Sequence, residues 1–253
     1  MLIRDAVAGS TSSSIRVVKQ PDSLALVRKM LFSTVPMNAE GRMHRSATVP
    51  IAGTALLLID VINDLAFDGS EALVAEAERM AARLSTLKRR ATIAGIPAIY
   101  INDNFGQWRS DFRKTVAHCT SRSSPGRRVS RRLRPTAKDY FVLKPKHSGF
   151  YDTTLDTLLD ALRIRRVILT GIAGNICVLF TANDAYMRDL RIFAPADCIV
   201  SNTAADNDHA LRQIEVVLKG NVAVSSGLRF RGKRREPPQK IGSSGLGTRS
   251  RAA

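Results

Sequence analysis

The stretch RVILTGIAGNICVLFTANDAYMRDL, which runs from Arg166 to Leu190, places a short apolar run directly before a helical pattern. A continuous run such as RVILT is typical of a strand buried on both faces, and the residues that follow it repeat at helical spacing. Cys177 stands in the turn where the helix should begin. A strand that leads at once into a helix is the repeating unit of α/β folds, so this stretch predicts a parallel sheet covered by helices.

The same alternation extends in both directions along the chain. Upstream, the runs TALLLIDVI, IPAIYIND and DYFVLKP are predicted strands, and residues 70–94 and 153–162 have helical periodicity. Downstream, RIFAPADC and NVAVSS are predicted as shorter strands on either side of a helix at residues 204–218. Strands that alternate with helices require parallel crossovers. We therefore expect a single three-layer α/β/α domain with a mostly parallel sheet at residues 51–226.

The chain on either side of this domain is basic. Residues 1–50 hold seven Lys or Arg and three Asp or Glu, and residues 227–253 hold eight and one, within a net charge of +17. The first segment is expected to be a partly disordered extension. The second, rich in Gly, Pro, Ser and Arg without apolar periodicity, is expected to be a disordered tail. Both could bind polyanions non-specifically, but the absence of interleaved aromatic residues favours a solvated surface.

Composition also indicates the cellular compartment in which the protein is expected. Three cysteines are too few for a disulfide framework, and no apolar run reaches the ~18 residues of a membrane span. We therefore expect a cytoplasmic protein without membrane contact. The first 50 residues lack the apolar core of a secretory signal, although their Ser and Arg content is compatible with an organelle transit peptide.

Three reactive side chains fall at the carboxyl ends of predicted strands. Asp60 ends the first strand, Lys144 ends the third, and Cys177 follows the fourth. Ligands of open parallel sheets bind beyond these strand ends, so we expect the three side chains to meet in one crevice. Each also has an ordinary structural interpretation: a cysteine as a small core residue, an aspartate as a cap, and a lysine before proline as a surface residue.

The chemistry of such a trio is that of a cysteine nucleophile. The positive end of the helix and the Lys144 ammonium would favour a thiolate at Cys177. Asp60 could accept the thiol proton and return it to a leaving amine. Backbone amides of the turn between Ala173 and Cys177 could bind an oxyanion.

Three segments, LLLIDVINDLAF, FVLKPKHSGFYDTTLDTLL and VILTGIAGNICVLFTANDAYMRDL, resemble the signature segments of the isochorismatase-like cysteine hydrolases. The resemblance spans roughly residues 54–225 and implies a six-stranded parallel sheet flanked by helices. It also implies that Asp60, Lys144 and Cys177 are the catalytic residues. A cis peptide before Ala173, and an oxyanion hole formed by the amides of Ala173 and Cys177, follow from the same resemblance.

Departures from the family pattern narrow the expected activity. Nicotinamidases of this family hold a metal with an Asp and two His after the second strand, but here Asp103 is followed by no histidine until His118. No two of the four histidines show ligand spacing, so we expect no metal and no other cofactor. Isochorismatases that cleave a vinyl ether generally lack the nucleophilic cysteine, so Cys177 indicates C–N hydrolysis, as in the family's ureidoacrylate and N-carbamoyl amidases.

The roles of several site residues have alternative assignments. Lys146 is the rival of Lys144, and His147 is the alternative base to Asp60. Cys119 and Cys198 are interpreted as packing residues. The candidates for lining the substrate are Phe67, Asn104, Trp108 and Phe150.

The sequence therefore predicts a metal-independent cysteine hydrolase that cleaves a small amide, ureido or carbamoyl compound through a thioester. Its partners would be a small-molecule substrate and, by the resemblance, further copies of the chain. The substrate itself cannot be identified, because residues 105–138 carry no interpretable motif. The alternatives are a vinyl ether hydrolase of the isochorismatase type, or a catalytically silent member that binds nucleic acid or an acidic partner through its basic segments.

Overall fold

The computed structural model describes residues 46–67, 70–104 and 111–232. The strands are β1 (Ala47–Pro50), β2 (Thr54–Ile59), β3 (Ala98–Asp103), β4 (Tyr140–Lys144), β5 (Arg166–Ile172), β6 (Arg191–Phe193), β7 (Ile199–Val200) and β8 (Leu228–Arg231). The helices are α1 (Glu71–Ala94), α2 (Phe112–Cys119), α3 (Arg127–Arg132), α4 (Leu155–Ala161), α5 (Leu179–Tyr186) and α6 (Ala204–Val216).

Strands β2 to β7 form one parallel sheet, which confirms the predicted α/β class. The order is β4–β3–β2–β5–β6. β6 pairs with the first half of β5, and β7 pairs with its last two residues. A sheet of this kind needs a crossover between successive strands, and the helices supply it. The predicted helices at residues 70–94, 153–162 and 204–218 correspond to α1, α4 and α6.

The core lies on both faces of the sheet because alternate residues of a strand point to opposite sides. All six residues of β2 are buried. Leu56 and Leu58 pack in the apolar cluster that contains the inner side of α1. Leu57 and Ile59 pack in the opposite cluster, which contains residues of α4, α5 and α6. The central strands β2, β3 and β5 are therefore largely apolar, and their charged side chains stand only at the strand ends.

One predicted strand is wrong. The segment NVAVSS contributes a single bridge, between Asn221 and Phe193 of β6. The Asn221 side chain then accepts a hydrogen bond from the Ala223 amide at 3.1 Å, which turns the backbone away from the sheet. The two residues of β7, which directly follow the predicted strand RIFAPADC and were not predicted as a strand, complete the sheet instead.

The predicted boundary between the domain and its tail is also wrong. Leu228–Arg231 forms β8 and pairs in parallel with β1, whereas the sequence prediction placed this stretch in a disordered tail. The sequence LRFR alternates apolar and basic residues, which is the signal that we missed. Leu228 is fully buried, and the Arg90 guanidinium of α1 lies over the Phe230 ring, with its Cζ 5.4 Å from the ring centroid.

The strand pair β1–β8 thus extends the ordered domain at both ends. The expected disorder of the extension and the tail otherwise concerns residues 1–45 and 233–253, which lie outside the described residues. Within the described part of the chain, no helix combines the length and apolar character that crossing a bilayer requires.

We predict that Leu228→Ala lowers the free energy of unfolding by about 2–5 kcal/mol, because it leaves a cavity under α1 where a fully buried side chain stood. The control is Arg229→Ala on the same strand, whose side chain is exposed and whose loss should change stability by less than about 0.5 kcal/mol. Urea unfolding followed by circular dichroism measures both. Equal stability of the two variants would show that β8 does not belong to the folded domain in solution.

Candidate active site

The three predicted reactive residues meet beyond the carboxyl ends of β2, β4 and β5. The Lys144 Nζ atom lies 2.9 Å from Oδ2 of Asp60 and 3.5 Å from Sγ of Cys177. The sheet order sets this arrangement: β2 is central, β5 is its neighbour on one side, and β4 lies one strand further out on the other side. Side chains separated by more than a hundred residues are therefore brought to one point.

Asp60 is positioned by the turn that follows β2. Its backbone is in the left-handed region (φ 49°), which aspartate tolerates better than most residues. Its amide still donates to the Ile101 carbonyl of β3 at 2.8 Å, so the residue stays attached to the sheet while the chain turns. Its Oδ1 atom accepts a hydrogen bond from the Asp103 amide at 2.8 Å, leaving Oδ2 for Lys144.

Lys144 is a fully buried ammonium at the end of β4. Besides Asp60 and Cys177, its Nζ lies 3.6 Å from Oδ2 of Asp103, whose side chain is about one-third exposed. Lys146, the rival in the sequence prediction, is exposed to solvent. Lys144, and not Lys146, is therefore the lysine whose ammonium is buried beside Asp60 and Cys177.

Cys177 is presented by a π-helical turn, Gly174–Val178, rather than by the first turn of an α-helix. The peptide bond that precedes Ala173 is cis, as the family resemblance implies. The Val178 amide donates to the Ala173 carbonyl at 3.1 Å, which is the wide spacing of a π turn. α5 then continues the helix that the sequence predicts as one element.

The strand that leads into this turn passes very close to β2. Gly171 has a φ of 117°, and a Cβ at this position would stand 2.0 Å from the Ile59 carbonyl oxygen. Only glycine combines that backbone conformation with that approach. The turn is further fixed by Ser201, whose hydroxyl accepts a hydrogen bond from the Asn175 amide at 3.0 Å and lies 3.1 Å from Oδ1 of Asn207.

A second connection joins the turn to the loop after β4. The Thr181 hydroxyl donates to the Cys177 carbonyl at 2.7 Å and accepts the Gly149 amide at 3.0 Å. Thr181 and Asp103 were not among the site residues predicted from the sequence. Their signals were the spacing of four between Thr181 and Cys177 on one helix, and the position of Asp103 at the end of β3.

The charges of the trio favour a neutral thiol in the resting site. Burial raises the pKa of the Cys177 thiol to about 12, the Asp60 charge raises it as well, and Lys144 opposes both. Burial also raises the pKa of the Asp60 carboxyl, against the opposing effect of Lys144. Burial alone would lower the pKa of Lys144, but Asp60 and Cys177 raise it above its ordinary value.

The raised pKa therefore opposes the resting thiolate that we expected from the sequence. The sequence showed the helix start and the Lys144 ammonium, which stabilise an anion, but it could not show the loss of hydration and the nearby Asp60 charge, which destabilise it. The arrangement favours a charged Lys144 and a protonated Cys177. The Asp60 carboxylate lies within hydrogen-bonding reach of the Cys177 sulfur.

His147 lies on the exposed side of the thiol. Its Nδ1 atom is 3.9 Å from Cys177 Sγ, and its ring contacts the exposed Phe180 ring with centroids 5.4 Å apart. Phe180 was not predicted, although it follows Cys177 by three residues on the same helical face. His147 therefore lies on the solvent side of the thiol, whereas Asp60 lies on its buried side.

The substrate-lining candidates differ in placement. Phe150 is buried with its ring centroid 4.5 Å from the Arg188 Cζ atom, a packing environment. Asn104 adjoins the site, since its amide donates to the Lys144 carbonyl at 3.1 Å. Phe67 is about half exposed, and Trp108 lies outside the described residues. Their contact with substrate stays a prediction.

The other two cysteines are buried in the core cluster that contains α1, in keeping with their interpretation as packing residues. His118 pairs with Asp64 at 2.9 Å. In the described ranges, no group of three or more His, Cys, Asp or Glu side chains is arranged to hold a metal ion.

Comparison with known proteins identifies the family. Residues 54–226 match the family model described as the isochorismatase domain. The chain is 47% identical over 167 residues to an uncharacterized isochorismatase family protein of Bacillus subtilis, YaaI, which covers 66% of this chain and 91% of that protein. It is 30% identical over 162 residues to the ureidoacrylate amidohydrolase RutB of Yersinia enterocolitica, which covers 54% and 70%. The solved N-carbamoylsarcosine amidase of Thermoplasma acidophilum aligns with a TM-score of 0.55 and 26% identity over 71% of this chain and 99% of that one.

We predict that iodoacetamide modifies Cys177 before the other two cysteines, because Cys177 is partly exposed and they are buried. Its alkylation rate should keep rising about tenfold per pH unit from pH 8 to pH 10, since thiolate is the reactive form and the raised pKa keeps it scarce. Peptide mass spectrometry after limited labelling measures site and rate, with Cys177→Ala as the blank. A rate that levels off below pH 8 would contradict the raised pKa.

Proposed function

This chain belongs to the isochorismatase family and is a hydrolase, and from that premise we propose that it cleaves the C–N bond of a small amide, ureido or carbamoyl compound through a thioester on Cys177. The observation that carries the proposal is the buried Lys144 ammonium, which contacts both the Asp60 carboxylate and the Cys177 sulfur. A vinyl ether hydrolase would have no use for a nucleophile held in this way. The relatives named for ureidoacrylate and N-carbamoylsarcosine support the same substrate class.

In the first half of the proposed reaction, Cys177 Sγ attacks the substrate carbonyl carbon. The thiol proton passes to Asp60, which lies within hydrogen-bonding reach of the sulfur. Because the free thiol holds its proton tightly, transfer and attack proceed together rather than through a standing thiolate. The amides of Ala173 and Cys177 hold the oxyanion. Asp60 then protonates the leaving nitrogen, the C–N bond breaks, and a thioester remains on Cys177.

In the second half, water attacks the thioester. Asp60, now ionised, accepts a proton from the water and returns it to the sulfur as the C–S bond breaks. The products are a carboxylic or carbamic acid and the free thiol. Lys144 stays charged throughout. Its ammonium balances the negative charge of the buried site, whether that charge lies on Asp60 or on sulfur.

The catalytically silent alternative rests on the basic segments at residues 1–45 and 233–253, outside the described residues. Salt separates the two proposals, since binding of nucleic acid through Lys and Arg weakens steeply with ionic strength and hydrolysis of a neutral amide does not. A homo-oligomeric state and a cytoplasmic location stay predictions.

We predict that a panel of small amides, N-carbamoyl compounds and ureidoacrylate contains a substrate, detected as ammonia or amine release in the presence of a metal chelator. Acid-quenched samples should show a covalent adduct on Cys177 by mass spectrometry, and Cys177→Ala should show neither adduct nor release. Turnover of isochorismate alone, or activity that is lost on chelation and restored by a divalent metal, would contradict the proposal.

We predict that Asp60→Asn lowers the rate of amide hydrolysis about 10²–10⁴-fold, because an amide side chain cannot carry the proton. The matched control is His147→Gln, which removes the alternative base near the sulfur and should change the rate less than tenfold. Alkylation of Cys177 should survive in Asp60→Asn, since it needs no proton for a leaving amine. Near-normal hydrolysis by Asp60→Asn, with a large loss in His147→Gln, would make His147 the base.

A further inference from the structure

The sequence GRRVSRRLR, from Gly126 to Arg134, contains the α3 helix and has no part in the proposed reaction. Its residues divide by helical spacing. The arginines at 127, 128, 131 and 132 share one side, because residues three and four apart are neighbours on a helix. On the other side, Val129 and Leu133 are buried in the core cluster with α1.

α3 is held firmly in place despite its six residues. The hydroxyl of Ser130, which is fully buried, donates to the Asn63 carbonyl at 3.1 Å and accepts the Asn63 amide at 3.2 Å. The Leu133 carbonyl accepts a hydrogen bond from the Tyr100 hydroxyl at 2.6 Å. At the start, a Cβ on Gly126 would stand 2.2 Å from the Asn63 carbonyl oxygen, so the chain approaches too closely for any larger residue. The arginines therefore project from a fixed base.

Helix α1 forms the opposite wall of a groove with α3. Its contribution is the stripe Ala75, Glu78, Arg79 and Ala82, which repeats at helical spacing. The two alanines leave room between the helices, and the groove has a volume of about 800 Å³. We call it the arginine groove. It is lined by Ala75, Glu78, Arg79, Ala82, Arg127, Arg128, Arg131 and Arg132.

The charge of the arginine groove is far from balanced. Among the described lining residues, five arginines face one acidic side chain, Glu78, whose Oε2 lies 3.2 Å from Nη1 of Arg128. One of the five, Arg79, is also paired with Glu76 on its own helix. Within the described residues, Arg131 and Arg132 form no ion pair. The Nε atom of Arg127 is buried without a hydrogen-bond partner, which is unusual for a guanidinium. A bound anion would offset the repulsion among the arginines.

We propose that the arginine groove binds a chain of linked phosphates. Planar guanidinium groups match phosphate oxygens with paired hydrogen bonds, and a linear anion can contact arginines from both helices at once. Since the described lining residues include no aromatic side chain, they offer a base no stacking surface, and recognition falls on the phosphates. Inorganic polyphosphate and the triphosphate of a nucleotide share this chemistry. The groove is bounded by two short stretches of helix, which favours a compact anion over a nucleic acid strand.

The test is isothermal titration of the full chain with inorganic tripolyphosphate, orthophosphate, ATP and a 15-residue oligothymidylate. We expect tripolyphosphate to bind at least tenfold more tightly than orthophosphate, ATP to bind within a few-fold of tripolyphosphate, and added salt to weaken all binding. Arg131→Gln with Arg132→Gln should weaken tripolyphosphate binding at least tenfold. The control, Arg89→Gln with Arg212→Gln, removes the same charge from exposed sites on α1 and α6 and should change it less than threefold.

A gain-of-function variant guards against a folding defect. Glu78→Gln removes the single acidic group of the groove and frees Arg128, so it should bind tripolyphosphate several-fold more tightly than the parent chain. Equal weakening by the two double variants, or no change in Glu78→Gln, would overturn the proposal, since binding would then reflect overall charge or the basic ends of the chain. Tighter binding of ATP by tenfold, or of oligothymidylate through Arg131 and Arg132, would assign the groove to a nucleotide base or a nucleic acid strand instead.

Discussion

The candidate active site depends on one buried ammonium, that of Lys144. A fully buried lysine is stable only beside a negative charge, and removing the partner of such a pair typically destabilises a protein by about 3–5 kcal/mol. Lys144 meets this constraint through Asp60 at 2.9 Å and Asp103 at 3.6 Å, which extend from neighbouring strands. The register of β2, β3 and β4 is thus tied to the chemistry, because a slip of one residue would turn these side chains to the opposite face of the sheet.

The same constraint favours a neutral sulfur at rest, because burial and the Asp60 charge both raise the pKa of the Cys177 thiol. A buried site with one ammonium readily balances one negative charge, and Asp60 is the carboxylate nearest to Lys144. A thiolate at Cys177 would add a second negative charge, and burial would leave that charge without hydration. In the proposed attack the sulfur proton passes to the carboxylate and the negative charge moves to the substrate oxyanion, so the net charge of the trio and substrate together stays constant and no large reorganisation of the surroundings is needed.

Much of this could be predicted from the sequence because parallel strands bring their carboxyl ends to one edge, which makes Asp60, Lys144 and Cys177 neighbours once the strands are located. Quantities that depend on burial could not. The raised pKa of the thiol, the contact between His147 and Phe180, and the groove between α1 and α3 arise from packing of distant segments. The end of the domain was misplaced because β8 has only four residues, too few for its alternation to stand out beside the basic residues around it.

The pairing of β1 with β8 has a mechanical consequence. The chain enters this ladder at Ala47 and leaves it at Arg231, and because the strands are parallel these two points lie at opposite ends of the pair. A tension applied to the two flanks in opposite directions would load the rungs of the ladder together, in shear, rather than one after another. Along the chain, the ladder lies between the flanks and the six-stranded sheet, so the force would act on the ladder first. Its hydrogen bonds would break together, while the trio at the strand ends kept its geometry.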